Sequence, residues 1–408
     1  MYLKPTKRRG NLAKRLATEK TETYGVVIMV VAAIGLLLWR LSSQTNGNVN
    51  AAELVTKQQL YIDSPWWKSI SYLYGPYYVL LHGTYAIARN TWSLRLTSVI
   101  IGVLAIIAVY WLASSWHGYK IGLLAAGICL TSFGFLALSR EATPVSSQLL
   151  LAIALVVAVD LVHRLPGFVA LLVLTVFLIG ALYIPGGVWL SLIALWITYK
   201  PIKTAFGELS SKLRLSVIGI GLLLLMPIAN FLIRFASIAQ LKTWLGYGLT
   251  DNIHAFHEFL SRFIHTPLDL FVHSYSDGTF ISLGHLPVLP ITYTALILIG
   301  ILTYAMRFTN WRWQSVIILL AATWLLSGFG LISPLSLIPL LSVCAATGLA
   351  YMLKEWFDVF PRNHIARAVG LIVMIGVLSI SGFYGIRTYI VAWSNNPQVK
   401  ASYNNRLN

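Results

Sequence analysis

Acidic residues are scarce in this chain: its 408 residues include only 13 Asp and Glu, against 30 Lys and Arg. Charged residues make up 11% of the sequence and hydrophobic residues 57%, which excludes a soluble domain built around a single core. The two cysteines lie within apolar runs, so neither a disulfide framework nor a CxxC motif exists. Neither a Walker-type phosphate loop nor a GxGxxG turn occurs, which argues against nucleotide hydrolysis.

Long apolar runs dominate the chain and predict an all-α, polytopic membrane protein with about eleven transmembrane helices, since a spanning helix needs ~20 mostly apolar residues. The fifth and sixth runs are short and joined by the turn IPGG, so we expect a tight helical hairpin or one re-entrant unit. The candidate spans are 24–41, 93–113, 121–138, 146–163, 167–184, 186–199, 214–232, 289–306, 314–330, 335–353 and 368–386.

Basic residues are distributed asymmetrically across these spans. With the amino terminus inside, 18 of the 30 Lys and Arg fall on the cytoplasmic side, as the positive-inside rule expects. The membrane therefore explains much of the net charge of +17, and we do not expect nucleic-acid binding. The expected organisation is a basic cytoplasmic tail (1–23), a transmembrane domain (24–386) and a short extracytoplasmic tail (387–408). The predicted extracytoplasmic loops are 42–92, 139–145 and 234–288.

Two acids in the first of these loops, Glu53 and Asp63, could both reach one cleft and take a proton from an acceptor hydroxyl. The alternative is that both are solvated loop acids. Arg140, and Arg95 at the end of the second span, could bind a phosphate through paired N–H donors. The alternative for these arginines is an interfacial side chain whose charge reaches water.

Aromatic residues crowd the second half of the same loop, a stretch interrupted by Pro65, Gly75 and Pro76 that predicts helices lying in the membrane interface rather than a full span. The aromatic residues could line a groove for a sugar and a lipid, because aromatic faces pack on both, or they could form a membrane-anchoring belt. The residues concerned are Trp66, Trp67, Tyr74, Tyr77 and Tyr78.

A cluster in the third loop, His254, His257 and Glu258, has the spacing of residues that share one helix face and could bind a divalent metal. It is not an HExxH motif, however, and the phenylalanines among these residues favour an ordinary amphipathic helix at the interface.

Several stretches, taken in order, resemble integral-membrane glycosyltransferases of the GT-C fold, the class that contains protein O-mannosyltransferases and lipid A aminoarabinose transferases. The stretches are NVNAAEL, GPYYVLLH, SLRLTSVIIGVLAIIAVYWLA, LSREATP, SDGTFISLGHLPVLPITYTALILIGIL and YIVAWSNNP. The resemblance implies an inverting transfer of a sugar from a polyprenyl-phosphate donor to an extracytoplasmic glycan, lipid or protein, in a prokaryotic cell membrane. It makes Glu53 the positional match of the catalytic carboxylate and places Arg140 near the lipid phosphate.

The chain departs from the family at one point that matters: Ala52 precedes Glu53 where the family often has a second acid. Glu53 then acts alone, or Asp63 supplies the second carboxylate, or the protein is a catalytically degenerate subunit of an envelope complex. A lipid-linked saccharide transporter is a further alternative, which the scarcity of charges in the spans disfavours. Whether a divalent metal takes part is left open by the sequence.

Overall fold

The computed structural model describes residues 12–62, 73–165, 167–234, 244–245, 253–272, 283, 286–306 and 310–405. Most of these residues are helical, the helices are joined by turns and short irregular segments, and Val49 pairs with Asn405 in an isolated bridge. The first eight helices are α1 (Leu12–Leu38), α2 (Ala51–Ile62), α3 (Gly75–Ala88), α4 (Thr91–His117), α5 (Tyr119–Thr131), α6 (Phe133–Arg140), α7 (Gln148–Val162) and α8 (Gly167–Leu182).

The second half of the chain continues with α-helices and a short π-helix. The helices are α9 (Gly187–Glu208), α10 (Ser211–Arg234), α11 (Ile253–Phe271), α12 (Ile291–Met306), α13 (Trp311–Gly328), α14 (Ile338–Val359), α15 (His364–Arg387), the π-helix (Thr388–Trp393) and α16 (Pro397–Ser402). The fifth and sixth predicted spans form α8 and α9, which pack against each other and are joined by residues 183–186.

Six segments within the described ranges are long and apolar enough to cross a membrane, and α5 with α6 adds a seventh if this pair, bent by 69°, is one span. The chain is therefore an all-α integral membrane protein. The count of eleven is not established, because α8 and α12 are apolar but short, and α9 and α13 do not meet the same test. The six segments are Glu22–Thr45, Thr91–His117, Pro144–Val162, Ser211–Asn230, Pro334–Val359 and His364–Trp393.

Burial separates central from peripheral helices. In the apolar stretch of the span that contains α14, 83% of the residues are buried inside the protein. The corresponding share is 11% for α10 and 17% for the last span, His364–Trp393. Close contact between α12 and α14 builds the centre: a Cβ on Gly300 would lie 1.9 Å from the carbonyl oxygen of Cys344, and one on Gly348 would lie 2.1 Å from that of Leu296. Such small residues allow helix backbones to approach closely in membranes.

The aromatic half of the first loop and the third loop were both predicted to contain interfacial helices. They contain α3, of 14 residues, and the amphipathic α11, of 19 residues, and neither is among the candidate spans. On α11, Phe263 stacks on Trp324, with 4.6 Å between ring centroids. Phe256 and Leu260 of the same helix are exposed.

Candidate functional site

Glu53 lies in the first turn of α2, where it closes the amino-terminal end of the helix. The Glu53 N–H donates to Asn50 Oδ1 at 2.8 Å, and the Asn50 N–H donates to Glu53 Oε2 at 3.3 Å. This reciprocal pair is a capping box, which satisfies two helix N–H groups that would otherwise lack partners. The Glu53 side chain has no exposed surface.

Arg95, from the second turn of α4, holds the same carboxylate. Its Nε donates to Glu53 Oε1 at 2.7 Å and its Nη2 donates to Oε2 at 2.8 Å, the bidentate geometry that suits a planar guanidinium. The remaining donors of Arg95 bind Leu41 O, Thr45 Oγ1 and Asn48 O, at 2.8 to 3.0 Å. Arg95 therefore ties the end of α1 and the start of the first loop to α4.

The Glu53 carboxylate also accepts from the Ala142 N–H, at 3.0 Å, so each of its two oxygens accepts two hydrogen bonds. A carboxylate offers about four lone-pair sites, and all four are occupied. The prediction that Glu53 is a general base stays a prediction. The geometry shows a carboxylate that holds three parts of the chain together: Asn50 of the first loop, Arg95 of α4 and the segment after α6.

Glu141, the next residue after α6, is a second acid beside this ion pair. Asn50 bridges the two acids, since its Nδ2 donates to Glu141 Oε1 at 2.8 Å. Burial and the negative charge of Glu53 raise the pKa of Glu141 to about 8. This carboxyl therefore changes charge near neutral pH, which suits proton transfer. Sequence reasoning passed over Glu141, although the stretch SREATP placed it beside Arg140 at the end of a span.

Arg140, the last residue of α6, is 3% exposed. Its Nη2 donates to the carbonyl oxygen of Trp39, and its guanidinium carbon lies 5.1 Å from the centroid of the Tyr389 ring. Its Nε and Nη1 are buried and have no hydrogen-bond partner among the described residues. Buried donors without partners are rare in native proteins and point to a missing ligand or water.

A small cavity adjoins the Arg140 side chain and is called the Arg140 cavity below. Its volume is about 10 Å³, room for one water molecule. Burial raises the pKa of Tyr403, in its wall, well above the usual range, so this phenol stays neutral. The lining residues are Leu41, Gln44, Thr45, Arg95, Ala137, Arg140, Glu141, Tyr389, Trp393 and Tyr403.

Of the predicted groove aromatics, three are described. Tyr74 is partly buried and its hydroxyl accepts from Gln148 Nε2 at 2.9 Å, and burial raises its pKa to about 12. Tyr77 is 2% exposed and its hydroxyl lies 3.2 Å from Ser98 Oγ, so its side chain packs within the protein. Tyr78 is partly buried with its ring edge-to-face on Tyr77. Asp63, Trp66 and Trp67 lie outside the described residues.

The metal candidates lie on α11. His257 and Glu258 are exposed, and Glu258 forms an ion pair with Arg262 one turn further along. The side chain of His254 lies outside the described part of the chain. Among the residues that are described, no group of three or more His, Cys, Asp or Glu could hold a metal ion.

The helical architecture is the GT-C fold. The oligosaccharyltransferase of Archaeoglobus fulgidus, in a crystal structure with zinc and sulfate, matches at a TM-score of 0.50 and 15% identity, over 93% of this chain and 54% of that one. The oligosaccharyltransferase AglB from the same organism, bound to an inhibitory peptide and a dolichol-phosphate, matches at a TM-score of 0.49 and 14% identity, over 96% of this chain and 57% of that one.

ArnT from Cupriavidus metallidurans, bound to undecaprenyl phosphate, matches at a TM-score of 0.43 and 13% identity, over 93% of this chain and 76% of that one. No family model and no curated protein sequence matches the chain. The chain spans just over half the length of the archaeal proteins. At these identities the comparison shows a shared fold.

Proposed function

We propose that the protein is a membrane glycosyltransferase that moves a sugar from a polyprenyl-phosphate donor to an acceptor on the extracytoplasmic side. The observation that carries this proposal is Arg140, a buried guanidinium beside a cavity, two of whose nitrogens find no partner in the part of the chain that the structure describes. An anion in that cavity would complete its hydrogen bonds, and phosphate is an anion that guanidinium binds through paired donors. The GT-C fold supports sugar transfer as the reaction class.

In the proposed reaction an acceptor hydroxyl attacks the anomeric carbon of the sugar. The bond between that carbon and the phosphate oxygen breaks, and its electron pair stays on the phosphate. Arg140 stabilises the charge that develops there. The hydroxyl proton passes to Glu141, whose pKa of about 8 makes it an effective base near neutral pH. Glu53 is a positioning residue in this scheme, because its four lone-pair sites are already occupied.

The experiment described below also tests two alternatives to this proposal. The first makes Glu53, with or without Asp63, the base, as the resemblance implies. The second is a non-catalytic subunit, which the saturated hydrogen bonding of Glu53 favours, because such a carboxylate serves the fold without any reaction.

A donor is also larger than the present Arg140 cavity, so its binding must displace side chains of the wall, of which Gln44 is one.

The test uses membranes that contain the protein and a panel of radiolabelled polyprenyl-phosphate sugars, with loss of label from the lipid as the readout. We expect Arg140→Gln and Glu141→Gln each to lower transfer by about 100-fold or more. The matched control is Arg387→Gln, which removes an exposed positive charge from the end of α15.

Unchanged transfer in both variants would contradict the proposed site. If only Glu53→Gln abolishes transfer in a protein of normal stability, Glu53 is the base. If the well-folded wild type transfers label from no donor, the non-catalytic assignment replaces the proposal.

A further inference from the structure

A second, larger cavity opens at the protein surface next to the Arg140 cavity. Its volume is about 410 Å³, within the range of ligand-binding clefts. It lies between the end of α1 on one side and the π-helix with α16 on the other, and is called the Arg40 groove below. Its lining includes Trp39, Arg40, Gln44, Ser394, Asn395 and Lys400.

The Arg40 groove is positively charged. Arg40 and Lys400 line it, and the lining residues that the structure describes include no acid. Lys400 Nζ donates to Asn395 Oδ1 at 3.3 Å, whereas the Arg40 side chain makes no hydrogen bond or ion pair with the described residues. Arg40 also has a φ of 54°, a left-handed conformation that helix ends usually give to glycine. Glycine would fit this position without strain.

One flank of the groove is apolar and open. Trp39 is 61% exposed and Val391 is 50% exposed, and both line the groove. Further down α15, Phe383 and Ile380 are also exposed, as expected for a helix that faces lipid. Exposed tryptophan beside a basic residue at the end of a span is typical of the membrane interface. The groove therefore suits a ligand that has an anionic head group and an apolar chain.

A thin wall separates the groove from the Arg140 cavity. Gln44 lines both cavities, and its Nε2 donates to the carbonyl oxygen of Tyr389 at 3.1 Å. Trp39 forms another part of the wall, because its carbonyl oxygen accepts from Arg140 and the residue also lines the groove. A phosphate released beside Arg140 would have to pass this wall to reach the groove.

We propose that the Arg40 groove binds the phosphate monoester head group of the lipid carrier once the sugar has left it. This inference rests on the proposed function. Before transfer the lipid phosphate is a diester with one negative charge. Transfer breaks the bond to the sugar and leaves a monoester, which carries close to two charges at neutral pH because its second pKa is about 6. Two cations without acidic neighbours favour the dianion over the monoanion, so the groove selects the product.

The experiment measures binding of undecaprenyl phosphate to the purified full-length protein in nanodiscs, without donor or acceptor. Arg40→Gly and Lys400→Gln are each expected to weaken binding by about tenfold, the loss of one charge-assisted contact. Binding of phosphatidylglycerol, a monoanionic diester, should change less. Arg40→Gly should fold, since glycine adopts a φ of 54° without strain. The matched control is Arg387→Gln, an exposed cation at the end of α15 that is not among the lining residues.

If a variant that combines Arg40→Gly with Lys400→Gln bound undecaprenyl phosphate as tightly as the wild type, the inference would be overturned. An equal loss of affinity for phosphatidylglycerol would also overturn it. Competition by inorganic phosphate as strong as that by the lipid would also overturn it, because the site would then recognise soluble phosphate. Since no turnover is needed, the test is separate from that of the transferase. Groove-dependent binding in a protein that transfers no sugar would contradict the proposed function while supporting a lipid-phosphate site.

Discussion

Arg95 and Arg140 lie near the same cavity, and each is 3% exposed, yet their surroundings differ completely. Arg95 has five N–H donors and makes five hydrogen bonds, two of them to Glu53. Arg140 donates to one carbonyl oxygen, and two of its nitrogens have no partner within the described ranges. Burial alone therefore does not mark a binding residue: the first arginine completes the fold, and the second is available for a ligand.

The largest expected effect on stability comes from breaking the buried ion pair between Glu53 and Arg95. Glu53→Gln would leave Arg95 buried with a neutral partner, and removal of one member of a buried pair costs about 3–5 kcal/mol. We expect a clear fall in the thermal unfolding temperature in detergent. The control is Glu258→Gln, whose pair with Arg262 is exposed and should contribute at most about 1 kcal/mol. A Glu53→Gln protein as stable as the wild type would show that the ion pair is dispensable.

An intermediate effect concerns pH, through Glu141. As a base this carboxyl must be ionised, so kcat/KM should rise about tenfold per pH unit and level off near its pKa of about 8. Stability should change in the opposite direction. The folded state holds the proton more tightly than the unfolded state, so the contribution of Glu141 is present below its usual pKa of 4.5 and is lost as pH rises towards 8. A pH–rate profile tests the expected rise in rate, and unfolding measured at several pH values tests the expected loss of stability.

In Glu141→Gln, the residual rate and the stability should lack this dependence. A transfer rate that is flat between about pH 6 and 9 in the wild type would contradict the assignment of Glu141 as the base.

The smallest expected effect sharpens the comparison from the other side. Arg140→Met removes a buried charge that forms no ion pair with the described residues, and replacement of such a group by an apolar one is often neutral or stabilising. We expect a free energy of unfolding within about 1 kcal/mol of the wild type. Arg95→Met should lower it by more, because the buried Glu53 carboxylate would lose its positively charged partner. Thermal unfolding of the two variants side by side provides the measurement. Equal destabilisation would mean that Arg140, like Arg95, serves the fold.

Hydropathy predicted the helices well, because burial in lipid imposes long apolar runs that are visible one residue at a time. The predicted span 93–113 lies within α4, and 368–386 lies within α15. The number of spans was harder to predict, because the length of a run does not tell whether a short helix such as α8 crosses the membrane.

The site was less accessible from sequence, because its contacts join distant positions. The pattern Asn50-x-x-Glu53 is a capping signal that sequence reasoning could have used, and it would have suggested a structural role for Glu53. The bond from Ala142 to Glu53 joins positions 89 residues apart, which no local pattern reveals. The raised pKa of Glu141 depends on the nearby charge of Glu53 and is likewise a product of the tertiary fold.

The isolated bridge between Val49 and Asn405 has a consequence for biosynthesis. Together with the contact between Asn50 and Tyr403, it joins positions more than 350 residues apart. Helices inserted into the membrane early in translation would wait for Tyr403 and Asn405 before the wall of the Arg140 cavity could close. A nascent chain stalled short of these residues would hold nearly every helix and still lack a finished site.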